Sequence, residues 1–550
     1  MSTLYESRRG QMFPKLTPAQ LSRLEAYGQR ARIRDGDILV ESGARYTSIV
    51  AVLSGSVDVV RSSLSGETGV TLLTGGDFSG EMSALRGSAS YVRIRVREPG
   101  EVIAIPVDNL RRLVQADAEL SEIFMRAFIL RRMALMESQQ GDVIFIGVAD
   151  SSSTLRVRQF LRRNAVPYVS LDADSDGDAA ALLDQFRVGR DKLPVVLCRG
   201  RILRNPDNES LAECLDMNPE IDDSLVRDLV VIGAGPAGLA AAVYAASEGL
   251  RVLMLETLGP GGQAGASSKI ENYLGFPTGI SGEALAGRAL VQAQKFGTEV
   301  VVAGCALRLH PDERPYRVDL SRGRTVRARA IIIATGAEYR RLPIENLDRL
   351  LGAGVYYAAT HLEAQLCRSE EVCVIGGGNS AGQAAVYLAG VCSRVHILVR
   401  SSGLADSMSQ YLIRRIEDTP NISLRPWTEL TSLAGDTHLQ SVSWRSRDGE
   451  TARDIRHVFL MTGAVPNTGW LGRCIAADSR GFLRTGPDLR REDLGARKWP
   501  LERAPYFLET SVPGIFAVGD VRSGSMKRVA AAVGEGSASV SFVHAALRDL

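Results

Sequence analysis

The stretch 229–256, LVVIGAGPAGLAAAVYAASEGLRVLMLE, decides the fold. An apolar run ends at Gly233, Gly235 and Gly238 follow at the G-x-G-x-x-G spacing, and Pro236 and Ala237 open a helix. A second apolar run then closes on Glu256, 23 residues after Gly233. The first glycine permits a tight turn. The second lets the backbone approach a pyrophosphate, and the third allows close packing of helix on strand. The helix N-terminus then faces the phosphates, and a carboxylate at the end of the second strand is placed to hold a ribose.

A second copy runs from 371 to 400, EVCVIGGGNSAGQAAVYLAGVCSRVHILVR. Gly376 and Gly378 keep the first two glycine roles, Asn379 and Ser380 open the helix, and Ala381 stands at the third position. Val399 stands where the first copy has Glu256, and Arg400 follows it. A missing carboxylate beside an arginine favours a 2′-phosphate, hence NADPH over NADH. Two such sites imply two dinucleotides, FAD at the Glu-bearing site and NAD(P)H at the second. Hydride would pass from nicotinamide to isoalloxazine, with the protein supplying placement and electrostatics. Other segments agree. IIIATGA (331–337) brings a strand to Thr335 and Gly336. SVPGIFAVGDV (511–521) ends a strand on Gly519 and Asp520, a carboxylate suited to a ribityl chain. KRVAAAVGEGSASV (527–540) starts a helix whose first N–H groups face the flavin.

The whole chain of 550 residues is too long for one core. Hydrophobic residues are 45% and charged residues 23%, as in an ordinary globular chain. A net charge of +2 speaks against nucleic acid or an anionic membrane as partner. No 18-residue apolar run and no N-terminal signal segment is visible, so a cytoplasmic location is expected. The seven cysteines form no C-x-x-C, so neither a disulfide framework nor a metal site is expected. Residues 29–105 alternate short strand-like runs with turn signals. Helices follow from Asp108 or Asn109, either of which suits a cap. Residues 142–215 read as a small α/β unit with a polar turn at 151–154, and 216–225 as an acidic linker. The expected class is multidomain: an N-terminal β-barrel or jelly roll with helices, a small α/β domain, then two Rossmann-like α/β domains. The expected boundaries are 1–140, 141–224, 225–342, 343–464 and 465–550.

Together GAGPAG, GPGGQAGASSKIENYLGF, ATGA, GGGNSA, TGAVPNT and GIFAVGDV resemble the low-molecular-weight thioredoxin reductase family over about 228–550. The resemblance implies that Gly262, Gln263 and Asn272 lie along the flavin and that Lys527, Arg528 and Val529 form a further flavin contact. It also implies a homodimer, with an NADPH domain inserted in the FAD domain and rotating against it. The family's C-A-T-C dithiol maps to Ala358, Ala359, Thr360 and His361, within GVYYAATHLEA (354–364). Thiol exchange needs an attacking thiolate and a resolving thiol, and neither Ala358 nor His361 supplies one. His361 is a candidate proton donor, or else a residue that starts a helix; Tyr356 and Tyr357 read as packing residues. Of the family's NADPH-pocket arginines only Arg400 remains, with Ser401 and Ala405 at the others, which leaves NADH use open. The acceptor is equally open: oxygen, a quinone, a small carrier protein or a disulfide. Two alternatives stand beside this reading. One is a disulfide reductase using a partner's cysteines or Cys367 and Cys373; the other is a non-catalytic redox or nucleotide sensor acting through the N-terminal domains.

The β-rich start resembles a cyclic-nucleotide-binding domain, through DGDILVESG, Gly55 and GDFSGEMSALRGSASYVRIRV. By that resemblance Gly80 and Glu81 face a ribose, and Ser90 occupies the position of the phosphate-binding arginine, with Arg93 or Arg95 as the only nearby substitutes. Residues 142–215 resemble a thioredoxin or glutaredoxin fold. Pro194 falls at that fold's cis-proline position and Ser151–Thr154 at its redox motif, which holds no cysteine.

Overall fold

The computed structural model describes residues 3–63, 66–80, 82–86, 89–137, 143–148, 151–267, 270, 272–340, 342–357, 359, 361–495 and 499–549. The first sheet contains the strands Gln29–Ile33, Ile38–Val40, Ser48–Ser63, Gly66–Thr74 and Arg93–Pro106, all paired antiparallel. Its inner face alternates along the last strand, with Ile94 and Val96 buried and Arg93 and Arg95 on the opposite side. Helices Val107–Ala116 and Ala118–Glu137 close the barrel, Phe124 and Phe128 packing on Phe78. The sequence expectation of a cap at Asp108 or Asn109 is corrected here. The helix starts at Val107 behind Pro106, and the Asn109 side chain instead donates to the Tyr27 carbonyl.

The small α/β unit is a four-stranded mixed sheet ordered Tyr168–Asp172, Val143–Gly147, Val195–Cys198, Arg201–Arg204. The Leu193–Pro194 peptide is cis. The expected polar turn at 151–154 is in fact the first turn of the helix Ser152–Arg163, with the Ser151 hydroxyl accepting from Thr154 N–H. Nor is 216–225 a free linker. Asp216 is held by Arg45 at 2.6 Å, and the Asn218 side chain both donates to the Val302 carbonyl and accepts from its N–H. The segment thus straps the barrel to the edge of the next sheet.

That sheet has seven strands: Glu299–Val302, Val252–Glu256, Val226–Ile232, Thr325–Ile333, Tyr316–Leu320 and Ala306–His310 in order, with Ile515–Ala517 added beside Thr325–Ile333. A fully parallel five-stranded sheet follows, ordered Val355–Tyr356, His457–Leu460, Glu371–Ile375, Arg394–Leu398, Ile422–Arg425. A three-stranded meander, Glu429–Ala434, Ser441–Ser446 and Gly449–Arg453, adjoins it. The chain enters and leaves this second α/β region through one antiparallel ribbon, Ala337–Tyr339 against Ala464–Pro466. Near-continuous apolar strands such as Leu229–Ile232 and Val372–Ile375 are buried on both faces, as parallel sheets require.

The small unit shares its apolar core with the seven-stranded region. Phe145, Val157 and Phe160 belong to the same buried cluster as Leu229, Val231 and Ala241. Arg322 reinforces the contact by pairing with Glu209 at 2.9 Å and with Glu213. We expect Phe160→Ala to cost roughly 3–5 kcal/mol by opening a cavity in this shared core. Chemical or thermal unfolding of the variant checks it, and a loss below about 1 kcal/mol would mean that the two units do not depend on one core.

Candidate functional site

Both glycine motifs open on one cleft of about 2210 Å³ between the two α/β regions. In the first motif Gly233 has φ +107°, and a Cβ there would stand 2.3 Å from the Ala334 carbonyl oxygen. At Gly238 a Cβ would meet Gly233 O at 1.9 Å, so this glycine lies against its own turn rather than on the cleft. At Gly235 a Cβ would meet nothing within 4 Å: the backbone there faces open space at the start of the helix Pro236–Ser247. Glu256 is oriented by three amides. Its carboxylate accepts from Ala234 N–H at 2.7 Å, Leu258 N–H at 3.0 Å and Gly259 N–H at 3.3 Å.

Gly233, Gly235, Pro236, Ala237 and Glu256 line the cleft. So do Gly262, Gln263, Asn272, Thr335 and Gly336 from the following loops. The Gln263 amide donates to the Ala337 carbonyl at 3.0 Å and the Thr335 hydroxyl to the Asn467 carbonyl at 2.9 Å. From the C-terminal segment come Gly519, Asp520, Lys527, Arg528 and Val529. Glu535 fixes this corner by accepting from Gly519 N–H at 2.7 Å and Arg522 at 2.6 Å. Burial pushes the Asp520 carboxyl above its ordinary value, with Lys527 opposing. Such a carboxyl, turned to a cleft, suits a polyol whose hydroxyls replace lost water. The open second glycine, the helix N-terminus and the sheltered carboxyl therefore fit an FAD-sized dinucleotide.

The second motif repeats the geometry. Gly376 has φ +138°, and a Cβ would stand 2.2 Å from the Met461 carbonyl oxygen. Gly376, Gly378, Asn379, Ser380 and Arg400 line the same cleft, and Gly378 caps the helix Asn379–Ala389. Asn379 accepts from Ser409 N–H at 2.7 Å. The Arg400 side chain is 79% exposed and only 4.0 Å from Glu429, so it is not committed to a tight protein partner.

Ala358 and Thr360, two of the four residues that the resemblance sets at the dithiol, lie outside the described residues. Between them Ala359 is buried and lines the cleft, beside Tyr356 and Tyr357. Tyr356 packs on Phe459 with ring centroids 5.3 Å apart. His361 is exposed, 3.0 Å from the Gln365 amide, and is not among the described lining residues. Cys367 and Cys373, the pair named in the disulfide-reductase alternative, do not adjoin. Successive residues of a strand face opposite sides, and Cys373 packs with Ile375 in one core while Cys367 packs with Val372 and Val374 in the other. The neighbour of Cys367 is Cys392, with sulfurs 3.5 Å apart, both buried. Sequence reading missed this contact, which spans 25 residues. Cys305 is the one cysteine among the described lining residues; burial pushes its thiol up, and it stands alone.

In the barrel, Gly80 is packed, its absent Cβ only 2.8 Å from Ile49, and Glu81 lies outside the described residues. The buried Ser90 hydroxyl donates to the Val92 carbonyl at 2.7 Å, accepts from Val92 N–H at 3.2 Å and lies 3.0 Å from the Tyr46 hydroxyl. Arg93 pairs with Glu41 at 2.6 Å and with Glu67, and Arg95 lies 3.6 Å from Glu67. Neither arginine replaces the missing cation. Among the described residues no His, Cys, Asp and Glu cluster suits a metal, and no helix is long and apolar enough to cross a membrane.

Comparison with known proteins agrees with this architecture. Residues 227–536 match the pyridine nucleotide-disulphide oxidoreductase family, and 30–117 match the cyclic nucleotide-binding domain. The chain belongs to the first family and is an FAD-dependent pyridine nucleotide oxidoreductase with a cyclic-nucleotide-binding-type domain before it. FAD and NAD(P)H are its cofactors. Thioredoxin reductase of Treponema pallidum is 33% identical over 313 residues, 56% of this chain and 94% of that protein. A component of the alkyl hydroperoxide reductase of Staphylococcus epidermidis is 30% identical over 322 residues, and the chain spans only 58% of that relative's length. The crystal structure of Lactococcus lactis thioredoxin reductase in its FR conformation superposes with a TM-score of 0.53 at 28% identity, over 59% of this chain and all of that one.

With Ser90 already satisfied by its neighbours, no cation in the barrel awaits a cyclic phosphate from that position. Calorimetry with cyclic AMP is expected to show no binding tighter than about 10 μM, since losing a buried charge partner costs roughly 3–5 kcal/mol. A submicromolar constant would contradict this account of the site.

Proposed function

We propose that the chain oxidises NAD(P)H at the second glycine motif and delivers the electrons to a diffusible acceptor without a dithiol of its own. FAD, when bound, supplies the two-electron relay between them. The carrying observation is that both motifs open on one cleft in which the described lining residues include no pair of cysteines.

The chain's own residues bind and orient. Gly235 and the first turn of Pro236–Ser247 offer amides to a pyrophosphate, and Glu256 is turned by its three amides to accept from a ribose. Asp520 accepts from or donates to the ribityl hydroxyls, according to its protonation. Gln263 and Thr335 fix the loops that flank the ring position. Gly378, Asn379 and Ser380 receive the phosphates of NAD(P)H. Arg400 supplies a cation for a 2′-phosphate, and with Ser401 and Ala405 in place of further arginines the preference for NADPH over NADH is modest.

Anaerobic mixing with NADPH is expected to bleach the flavin absorbance, and an acceptor such as a quinone or oxygen to restore it over repeated cycles. His361→Gln should leave the rate within about twofold, because the exposed imidazole lies off the cleft, whereas losing a general acid costs roughly 10²–10⁴-fold. The double variant Cys367→Ser/Cys392→Ser should likewise leave turnover unchanged. A drop below about a tenth would give that pair a role in electron exit and sink the dithiol-free reading.

A further inference from the structure

The cleft has a third wall, built from neither dinucleotide-binding region. The helix Ser152–Arg163 of the small α/β unit lines it with Ser152, Leu155, Arg156, Gln159 and Arg163. Those positions follow one another by three, one, three and four residues, which is a single face of an α-helix. The unit lies wholly outside the family span 227–536.

The helix is fixed at both ends. At its start, a Cβ added to Gly352 would stand 3.2 Å from Ser152 Cα and 3.3 Å from Leu155 Cδ1, and Leu155 packs against the core of the second α/β region. At its end, the Asn164 side chain donates to the Leu258 carbonyl at 2.8 Å, and Arg162 pairs with Glu283 at 3.0 Å. A Cβ added to Gly259 would stand 2.8 Å from Arg163 Cβ. The helix therefore ends on the loop that follows Glu256, where the ribose of the first dinucleotide is held.

Arg156 carries the chemical argument. Its guanidinium donates to Asn205 Oδ1 at 3.2 Å and sits 3.5 Å from Asn208 Oδ1. Among the described residues no carboxylate lies within ion-pair distance of it. Burial lowers its pKa, with only the more distant Asp207 opposing. Arginine stays charged, so a half-desolvated guanidinium facing a cleft gains most from an anion that accepts two of its N–H groups. Thiol exchange is not available to this helix: the redox position 151–154 holds only hydroxyls, and the Ser151 hydroxyl is used as the cap.

We propose that the small α/β unit is a third wall of the dinucleotide cleft, in which Arg156 and Arg163 bind the pyrophosphate-bearing part of FAD. This rests on reading the first glycine motif as the FAD site. The same chemistry would serve the pyrophosphate of NAD(P)H, but the helix end at Leu258 and Gly259 favours the first site.

The test is FAD binding by the full chain, stripped of flavin and titrated by flavin fluorescence, with NADP⁺ titrated separately by calorimetry. The variant Arg156→Ala/Arg163→Ala should weaken FAD at least about tenfold, as expected when charge-assisted hydrogen bonds are lost. Arg156→Lys/Arg163→Lys should recover part of the loss, and Arg201→Ala, an exposed arginine of the same unit off the cleft, should change nothing. Should the double alanine variant fail to fold, Arg156→Gln alone carries the test, with an expected loss of severalfold. FAD affinity unchanged within twofold in a folded variant would overturn the proposal, and so would weakening of NADP⁺ alone. An unaltered chain that binds no FAD would instead defeat the reading of the first site.

Discussion

No side chain fits at Gly233 or at Gly376. In each case the first glycine of the motif lets the end of a neighbouring strand pass at backbone distance: the Ala334 carbonyl in one region, the Met461 carbonyl in the other. With that approach the central strands Val226–Ile232 and Glu371–Ile375 end level with their neighbours, and the helices after them start at the rim of the sheet. The cleft follows, because in parallel α/β sheets the space beyond the carboxyl ends of the strands is where a ligand finds amides without side chains. The antiparallel ribbon between Ala337–Tyr339 and Ala464–Pro466 joins the two regions and sets one rim across from the other.

Where the resemblance places an arginine in the barrel, Ser90 completes a local hydrogen-bond set with Val92. A buried polar group left without a partner costs free energy, while a group satisfied by its neighbours does not. Ser90 therefore leaves no polar atom of its own calling for a ligand, and the chain is held at that point without a cation.

The glycine motifs were legible because their signal is local: turn, helix start and terminal carboxylate all fall within thirty residues. The barrel and the two Rossmann-like regions were legible from strand length and alternation. Tertiary arrangement hid the rest. The contact of Cys367 with Cys392 depends on how a helix end meets a distant loop, whereas the nearer Cys373 faces the other side of its strand. The acidic segment 216–225 looked like a linker because its anchors, Arg45 and Val302, lie far away in sequence. His361 read as a candidate donor from its place in the motif alone; its exposure required the fold. The cleft-facing stripe of Ser152–Arg163 was written at helical spacing, yet nothing local tells a wall of a cofactor cleft from a solvated face.

On the proposed dithiol-free route, bound flavin is the store for one pair of electrons and no disulfide adds a second. Anaerobic titration with NADPH, followed by flavin absorbance and by NADPH left unoxidised, counts those stores directly. FAD accepts one hydride equivalent, and a redox-active disulfide coupled to it accepts a second. The account predicts an end point at one equivalent of NADPH per flavin; an end point at two would reveal a working disulfide and contradict it.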